Sequence, residues 1–120
     1  SLSGEESERD ILRVIAAIRR EEAMRFDLGG EGECSAAEMA DRLFRRYRYE
    51  QRFARSKGSD ISLEDFLRRV AARSPVGGAP YAAIDPDGRR RPMSEFLRET
   101  LTRAAQPSAF ATGEETTNAP

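Results

Sequence analysis

The fold is decided by the stretch SLEDFLRRVAARSPVGGAPY, residues 62–81, in which an amphipathic helix runs directly into a loop rich in proline and glycine. Ser62 and Asp65 have the spacing of a helix N-cap and its third residue. In the loop 74–81, two prolines fix φ while two glycines permit backbone conformations that other residues avoid. The sequence therefore predicts a helix that ends near Arg73 and a loop held in one shape.

Two further helices are predicted upstream. Ser7 with Asp10 has capping-box spacing, so we expect a first helix from there to about Met24. Ser35 with Glu38 has the same spacing and opens a second helix, which is the longest. The apolar positions expected to face the core are Ile11, Val14, Ile15 and Ile18 in the first helix, Met39, Leu43, Tyr47 and Ala54 in the second, and Leu63, Phe66, Leu67 and Val70 in the third.

Short strands and a fourth helix complete the prediction. Residues 25–34 contain closely spaced glycines between short flanks, which indicates a small hairpin or a tight loop. Residues 81–84 favour a strand and residues 85–88 a turn, and Ser94 is predicted to cap a helix that carries Phe96, Leu97 and Leu101. The expected fold is mainly α within the α+β class, with about four helices, one or two short hairpins and one compact domain.

The chain of 120 residues supports a single domain, which we place at residues 1–105. Residues 106–120 carry too little apolar surface to offset the entropy of ordering them, so a disordered tail is predicted there. The longest apolar runs are much shorter than the roughly 20 residues of a membrane-spanning helix.

Composition excludes several chemistries. The chain has one cysteine and no histidine, so a Ser-His-Asp or Cys-His nucleophile and the common zinc sites cannot be assembled from it. Catalysis would need carboxylates, arginine or tyrosine. We predict no catalytic residue, no metal ligand and no cofactor.

Basic and acidic residues are nearly balanced, 20 against 21, but residues 42–57 hold seven of the basic ones and a single acid, Glu50. Arginines interleaved with Tyr47, Tyr49 and Phe53 suggest phosphate contacts and base stacking. Helical spacing instead buries Tyr47 and leaves the arginines as a solvated face. Nucleic acid is therefore not the expected partner, and an acidic protein or an anionic envelope polymer fits this face better.

The segment VAARSPVGGAPY, residues 70–81, resembles the V-A-S-x-S-S-x-[ST]-G-x-P-Y motif of the YfeK-like proteins, a family of small exported bacterial proteins without an assigned function. Residues 35–46 are similar to the S-A-x-E-x-A-x-x-L-x-x-K/R helix of that family, and residues 60–67 to its acidic lead into the third helix. The resemblance extends from about Ile11 to Leu101. It implies a signal peptide removed before Ser1 and a periplasmic or secreted location, although a cytoplasmic location stays open.

The predicted binding site lies where the loops 25–34 and 74–81 could meet. Its residues are Gly30, Ser74, Gly77, Gly78, Pro80 and Tyr81. Exposed backbone N–H groups and the ring and hydroxyl of Tyr81 would contact a ligand there. The alternative interpretation is a structural connector, with Tyr81 packed in the core.

These features predict a binding or accessory module without catalysis. One alternative is a hydrolase that uses Asp27 and Glu31 with Asp85 as paired carboxylates. A second is a homodimer, or a larger scaffold of identical copies, that associates through Phe44 and Phe53.

Two further features are open to two interpretations each. Cys34 is either a thiol activated by a helix N-terminus or a small buried apolar residue. The acidic residues Asp27, Glu31, Glu33 and Glu38 either bind a cation weakly or form a solvated loop.

Overall fold

The computed structural model describes residues 4–104, which form four helices and a four-stranded antiparallel sheet. The mainly helical α+β prediction is confirmed. The predicted tail 106–120 lies outside the described residues. In chain order the elements are α1 Gly4–Arg19, β1 Arg25–Asp27, β2 Glu33–Ser35, α2 Ala36–Ser56, α3 Leu63–Asp65 with a π-helical continuation Phe66–Val70, β3 Ala82–Ile84, β4 Arg90–Pro92 and α4 Met93–Ala104.

Helix α1 has the predicted core face but not the predicted ends. All four apolar positions expected to face the core are buried. Ser7 does not cap the helix, because α1 begins at Gly4 and Ser7 is itself a buried helical residue. The helix ends at Arg19 and not near Met24, because two turns follow and bring Met24 into the core just before β1.

The sheet has the strand order β2-β1-β3-β4 and presents one apolar face to the helices. Phe26 pairs with both Cys34 and Ala83, so these three buried side chains share the inner face. The predicted 25–34 hairpin is confirmed, with strands of three residues. Strand β4 was not predicted, because its sequence Arg-Arg-Pro lacks the alternating apolar pattern of a strand.

The predicted starts of α2 and α3 are confirmed. The Ser35 hydroxyl accepts a hydrogen bond from the Glu38 N–H, and the Glu38 carboxylate accepts one from the Ser35 N–H, which is a complete capping box. The Ser62 side chain accepts from the Asp65 N–H at 3.0 Å. The predicted cap at Ser94 is wrong, because α4 already begins at Met93, directly after β4.

The third helix changes character and ends earlier than predicted. From Phe66 it continues as a π-helix to Val70, and the Ala71 N–H donates to the Phe66 carbonyl across five residues. Phe66 and Val70 are both buried. Residues 71–73 then leave the helix, and Arg73 forms an isolated β-bridge with Pro80.

Aromatic pairs connect the elements across the core. Phe26 of β1 packs edge-on against Phe96 of α4 with ring centroids 5.4 Å apart, and Tyr47 packs against Phe66 at 6.4 Å. Within residues 4–104, no helix has both the length and the apolar character needed to cross a membrane.

Candidate functional site

The two loops of the predicted site are in contact. A Cβ placed on Gly29 would overlap the carbonyl oxygen of Ala79, so the backbones meet where only glycine fits. Beside this contact, the Ser74 hydroxyl donates to a Glu31 carboxylate oxygen at 2.8 Å. The loops 25–34 and 74–81 therefore form one continuous surface.

The six predicted site residues divide into two groups. Ser74 and Tyr81 are buried, whereas Gly30, Gly77, Gly78 and Pro80 are exposed. Both glycines of the 74–81 loop have φ near +90°, as the loop sequence predicts. Binding by this surface stays a prediction.

Tyr81 belongs to the framework between the loop and α4. Its N–H donates to the Ala72 carbonyl, and its own carbonyl accepts from the Met93 N–H. Burial raises the pKa of its phenol, and the nearby charges of Arg46 and Arg42 oppose that shift. The tyrosine is thus placed in the core, as the alternative interpretation expects.

Arginines on the inner side of α2 hold the loops in place. Arg46 donates to the Arg73 carbonyl at 3.0 Å and pairs with Glu50 at 3.3 Å. Glu50 also pairs with Arg69 at 3.5 Å, and Arg42 lies 3.6 Å from Glu31. The basic segment 42–57 is therefore not uniformly solvated, because part of it joins α2 to the π-helix and to both loops.

The carboxylates of the hydrolase alternative are separated. Asp27 pairs with Arg90 and Asp85 pairs with Arg91. These arginines are neighbours on β4, so they point to opposite faces of the sheet and hold the two acids apart. A hydrogen bond from the Gly29 N–H and the Arg90 guanidinium lower the pKa of Asp27, which is the reverse of what a general acid needs.

The acidic residues of the cation alternative are engaged in other ways. Glu33 pairs with Arg25 and Arg90, and Glu38 completes the α2 capping box. In the described part of the chain, no group of three or more acidic, cysteine or histidine side chains is arranged to hold a metal ion.

Cys34 is a buried residue on the inner face of the sheet. Burial raises the pKa of its thiol, and the negative charge of Glu38 adds to that increase. This environment favours the neutral thiol and matches the interpretation of Cys34 as a small apolar residue.

The outer side of α2 carries a different set of arginines. We define the α2 outer face as Phe44, Arg45, Arg48, Tyr49, Arg52 and Phe53. The first five of these line a shallow depression of about 300 Å³. Arg45, Arg48 and Arg52 form no ion pair with any residue in 4–104, while Tyr49 and Phe53 are 64% and 51% exposed. The basic run in the sequence indicates these residues but does not separate them from the inner arginines.

A groove between α3 and α4 was not predicted. We define the α3–α4 groove by the residues that line it, Leu63, Glu64, Leu67, Arg68, Ala72, Ser94 and Arg98, and its volume is about 410 Å³. It forms where the π-helix passes the start of α4. The sequence could not indicate it, because its two walls are joined only by tertiary packing.

The fold and these surfaces define a small α+β protein. The acids proposed for catalysis form ion pairs with arginines. A set of arginines on α2 has no acidic partner among residues 4–104. The chain belongs to a family of unknown function, DUF5329, whose profile matches residues 5–105. No curated protein and no solved structure matches the chain. The expectation of a family without an assigned function is thereby confirmed.

Proposed function

We propose that this protein is a binding module without catalysis, and that the α2 outer face binds an acidic segment of a partner protein. The observation that carries the proposal is the absence of acidic partners for Arg45, Arg48 and Arg52 among the described residues. These arginines stand at positions i, i+3 and i+7, so they form one stripe along the helix. Elsewhere in the same chain, eleven of the described arginines form ion pairs.

The side chains around the stripe are those that protein interfaces favour. Tyrosine, phenylalanine and arginine are enriched at interface centres, and arginine and tyrosine are frequent hot spots. The Arg48 guanidinium lies 5.7 Å from the centre of the Phe44 ring, and the Lys57 ammonium lies 5.0 Å from that of Phe53. Both cations are therefore held over rings and not over carboxylates, so they stay available to a partner's acids.

A protein partner fits this face better than nucleic acid or a membrane. Three free arginines in a chain of net charge −1 supply few phosphate contacts, whereas nucleic-acid-binding domains are usually strongly basic. A helix that lies on a membrane inserts a broad apolar face, but the apolar face of α2 is already buried in the core. An acidic segment with apolar side chains satisfies both the arginines and the aromatic rings.

We also propose that the protein is exported to the periplasm or secreted, on the resemblance of residues 70–81 to the YfeK-like motif. Fractionation of the source cells with an antibody against the domain tests this location. Release together with periplasmic or secreted markers is the expected result. Recovery with cytoplasmic markers only would contradict it.

Binding is tested by titrating three defined probes: a labelled peptide of alternating glutamate and leucine, a single-stranded oligonucleotide and vesicles that contain phosphatidylglycerol. The combined variant Arg45→Gln, Arg48→Gln and Arg52→Gln should bind the peptide about tenfold or more weakly, at roughly 0.5 kcal/mol for each lost pair. A second triple variant, Arg9→Gln, Arg20→Gln and Arg89→Gln, removes the same charge from other exposed arginines that form no ion pair with described residues. Equal weakening by both variants, or a preference for the oligonucleotide or the vesicles, would overturn the proposal.

A further inference from the structure

We infer that the α3–α4 groove is a second binding site, which takes a short apolar peptide with free termini. This inference does not depend on the α2 outer face, because the two surfaces share no residue. It rests on the shape of the groove, its apolar floor and the charges on its two walls.

The floor of the groove is apolar and only half-covered. Leu63 and Leu67 pack against the core, yet each remains partly exposed, as does Ala72 behind them. The α4 wall presents Ser94 and Arg98, whose polar ends leave the two leucines uncovered. A volume of about 410 Å³ is within the range of sites that bind small organic ligands, about 300 to 1,000 Å³.

The π-helix forms part of the α3 wall of the groove. Phe66 and Val70, at the two ends of the π-helix, are both buried in the core. Of the side chains between them, Leu67 and Arg68 line the groove, whereas Arg69 pairs with Glu50 of α2. Segments of π-helix are rare and are frequently found at functional sites. The groove thus lies at the one irregular helical segment among residues 4–104.

The two walls carry opposite charges without partners. Arg98 on α4 and Glu64 on α3 form no ion pair or side-chain hydrogen bond with any described residue. Arg68, at the rim, is already neutralised by Asp65 at 2.6 Å. The Ser94 hydroxyl makes no hydrogen bond within residues 4–104 either. The groove therefore offers one site for an anion and one for a cation, on facing helices.

These charges select among apolar ligands. A fatty acid would satisfy Arg98 and leave Glu64 without a partner, and an alkylamine would satisfy Glu64 and leave Arg98 without one. A short peptide supplies a carboxylate for Arg98, an ammonium for Glu64 and an amide group for Ser94. Its apolar side chains cover the two leucines, which gives burial in addition to charge pairing.

The test uses the full chain labelled with ¹⁵N, observed by NMR while a peptide of three leucines is added. Shifts should appear at α3, at the π-helix and at the start of α4. N-acetylation or C-amidation of the peptide should each weaken binding roughly two- to fivefold, as the loss of one exposed ion pair would. In Glu64→Gln the acetyl group should have almost no further effect, and in Arg98→Gln the amide should have almost none.

Glu64 and Arg98 are both exposed, so we expect both variants to fold. Circular dichroism of each variant checks this expectation. Arg89→Gln serves as the control, because it removes one exposed arginine that does not line the groove. Equal binding of free and capped peptides, tighter binding of octanoate or octylamine than of the peptide, or shifts confined to other surfaces would overturn the inference.

Discussion

Gly29 joins two parts of the chain that are about fifty residues apart, and it does so because it lacks a side chain. Its φ is +70°, and a Cβ there would overlap the Ala79 carbonyl. The sequence prediction placed the neighbouring Gly30 in the site, since spacing alone cannot show which glycine of a pair touches another loop. The Gly-Gly pair was the local signal, but the contact itself is tertiary.

We expect Gly29→Ala to lower the free energy of unfolding by more than about 2 kcal/mol, because both backbone strain and the clash with Ala79 oppose it. Gly30→Ala is the matched control. Gly30 also has a positive φ, +105°, but no atom lies within 4 Å of the position that a Cβ would take there, so we expect a loss of about 1 kcal/mol from strain alone. Urea unfolding measures both, and equal losses would contradict a tight junction at Gly29.

The ionisation of Asp27 makes the free energy of unfolding depend on pH. The Gly29 N–H and Arg90 lower its pKa in the folded state, so its contribution is fully present above the unfolded pKa and is lost as the pH falls through the folded value. We expect Asp27→Asn to destabilise the protein at pH 7, by an amount that decreases as the pH falls below about 4. Urea unfolding across this range checks the prediction, and a destabilisation that is constant with pH would contradict it.

At the scale of elements, helix starts were predictable where the signal is local. The N-caps at Ser35 and Ser62 depend on residues three positions apart, and both are present. Ser7 and Ser94 have similar local signals but lie inside helices, because the residues that precede each of them are already helical. Strand β4 shows the same limit, since its pairing with β3 and not its own sequence defines it.

Substitution of the serines distinguishes a helix N-cap, Ser35, from a serine inside a helix, Ser94. Ser35→Ala should cost about 1 kcal/mol of stability, because the Glu38 N–H loses its partner. Ser94→Ala, at an exposed helical position, should cost less than about 0.5 kcal/mol. Thermal unfolding of the two variants is the measurement. A larger loss at Ser94 than at Ser35 would contradict the assigned helix boundaries.

Helix α2 shows why the candidate site was only partly predictable. Its apolar stripe and its arginines are evident in the sequence, and helical periodicity separates these two sets correctly. Periodicity does not separate Arg46, which donates to the Arg73 carbonyl, from Arg45, which forms no ion pair with a described residue. That distinction depends on which loops pack against the helix.

At the scale of the whole molecule, the charge of the α2 outer face bears on self-association. A two-fold dimer through this face would oppose six arginines, three from each copy, without acids from residues 4–104 to neutralise them. We therefore expect a monomer in sedimentation at low salt, where the repulsion is least screened. A dimer at low salt that is lost on substitution of Phe44 or Phe53 would contradict this prediction and favour the homodimer.

The most direct test of the central claim is site-specific crosslinking in the source cells, with a photoreactive phenylalanine at Tyr49 and the same group at Leu12 as a control. Leu12 is also a large exposed side chain, but it lies on α1. We predict a crosslinked protein at position 49 whose modified segment is acidic, and its loss in the Arg45, Arg48 and Arg52 variant. Crosslinks that are the same at both positions, or that persist in the triple variant, would contradict a binding function of the α2 outer face.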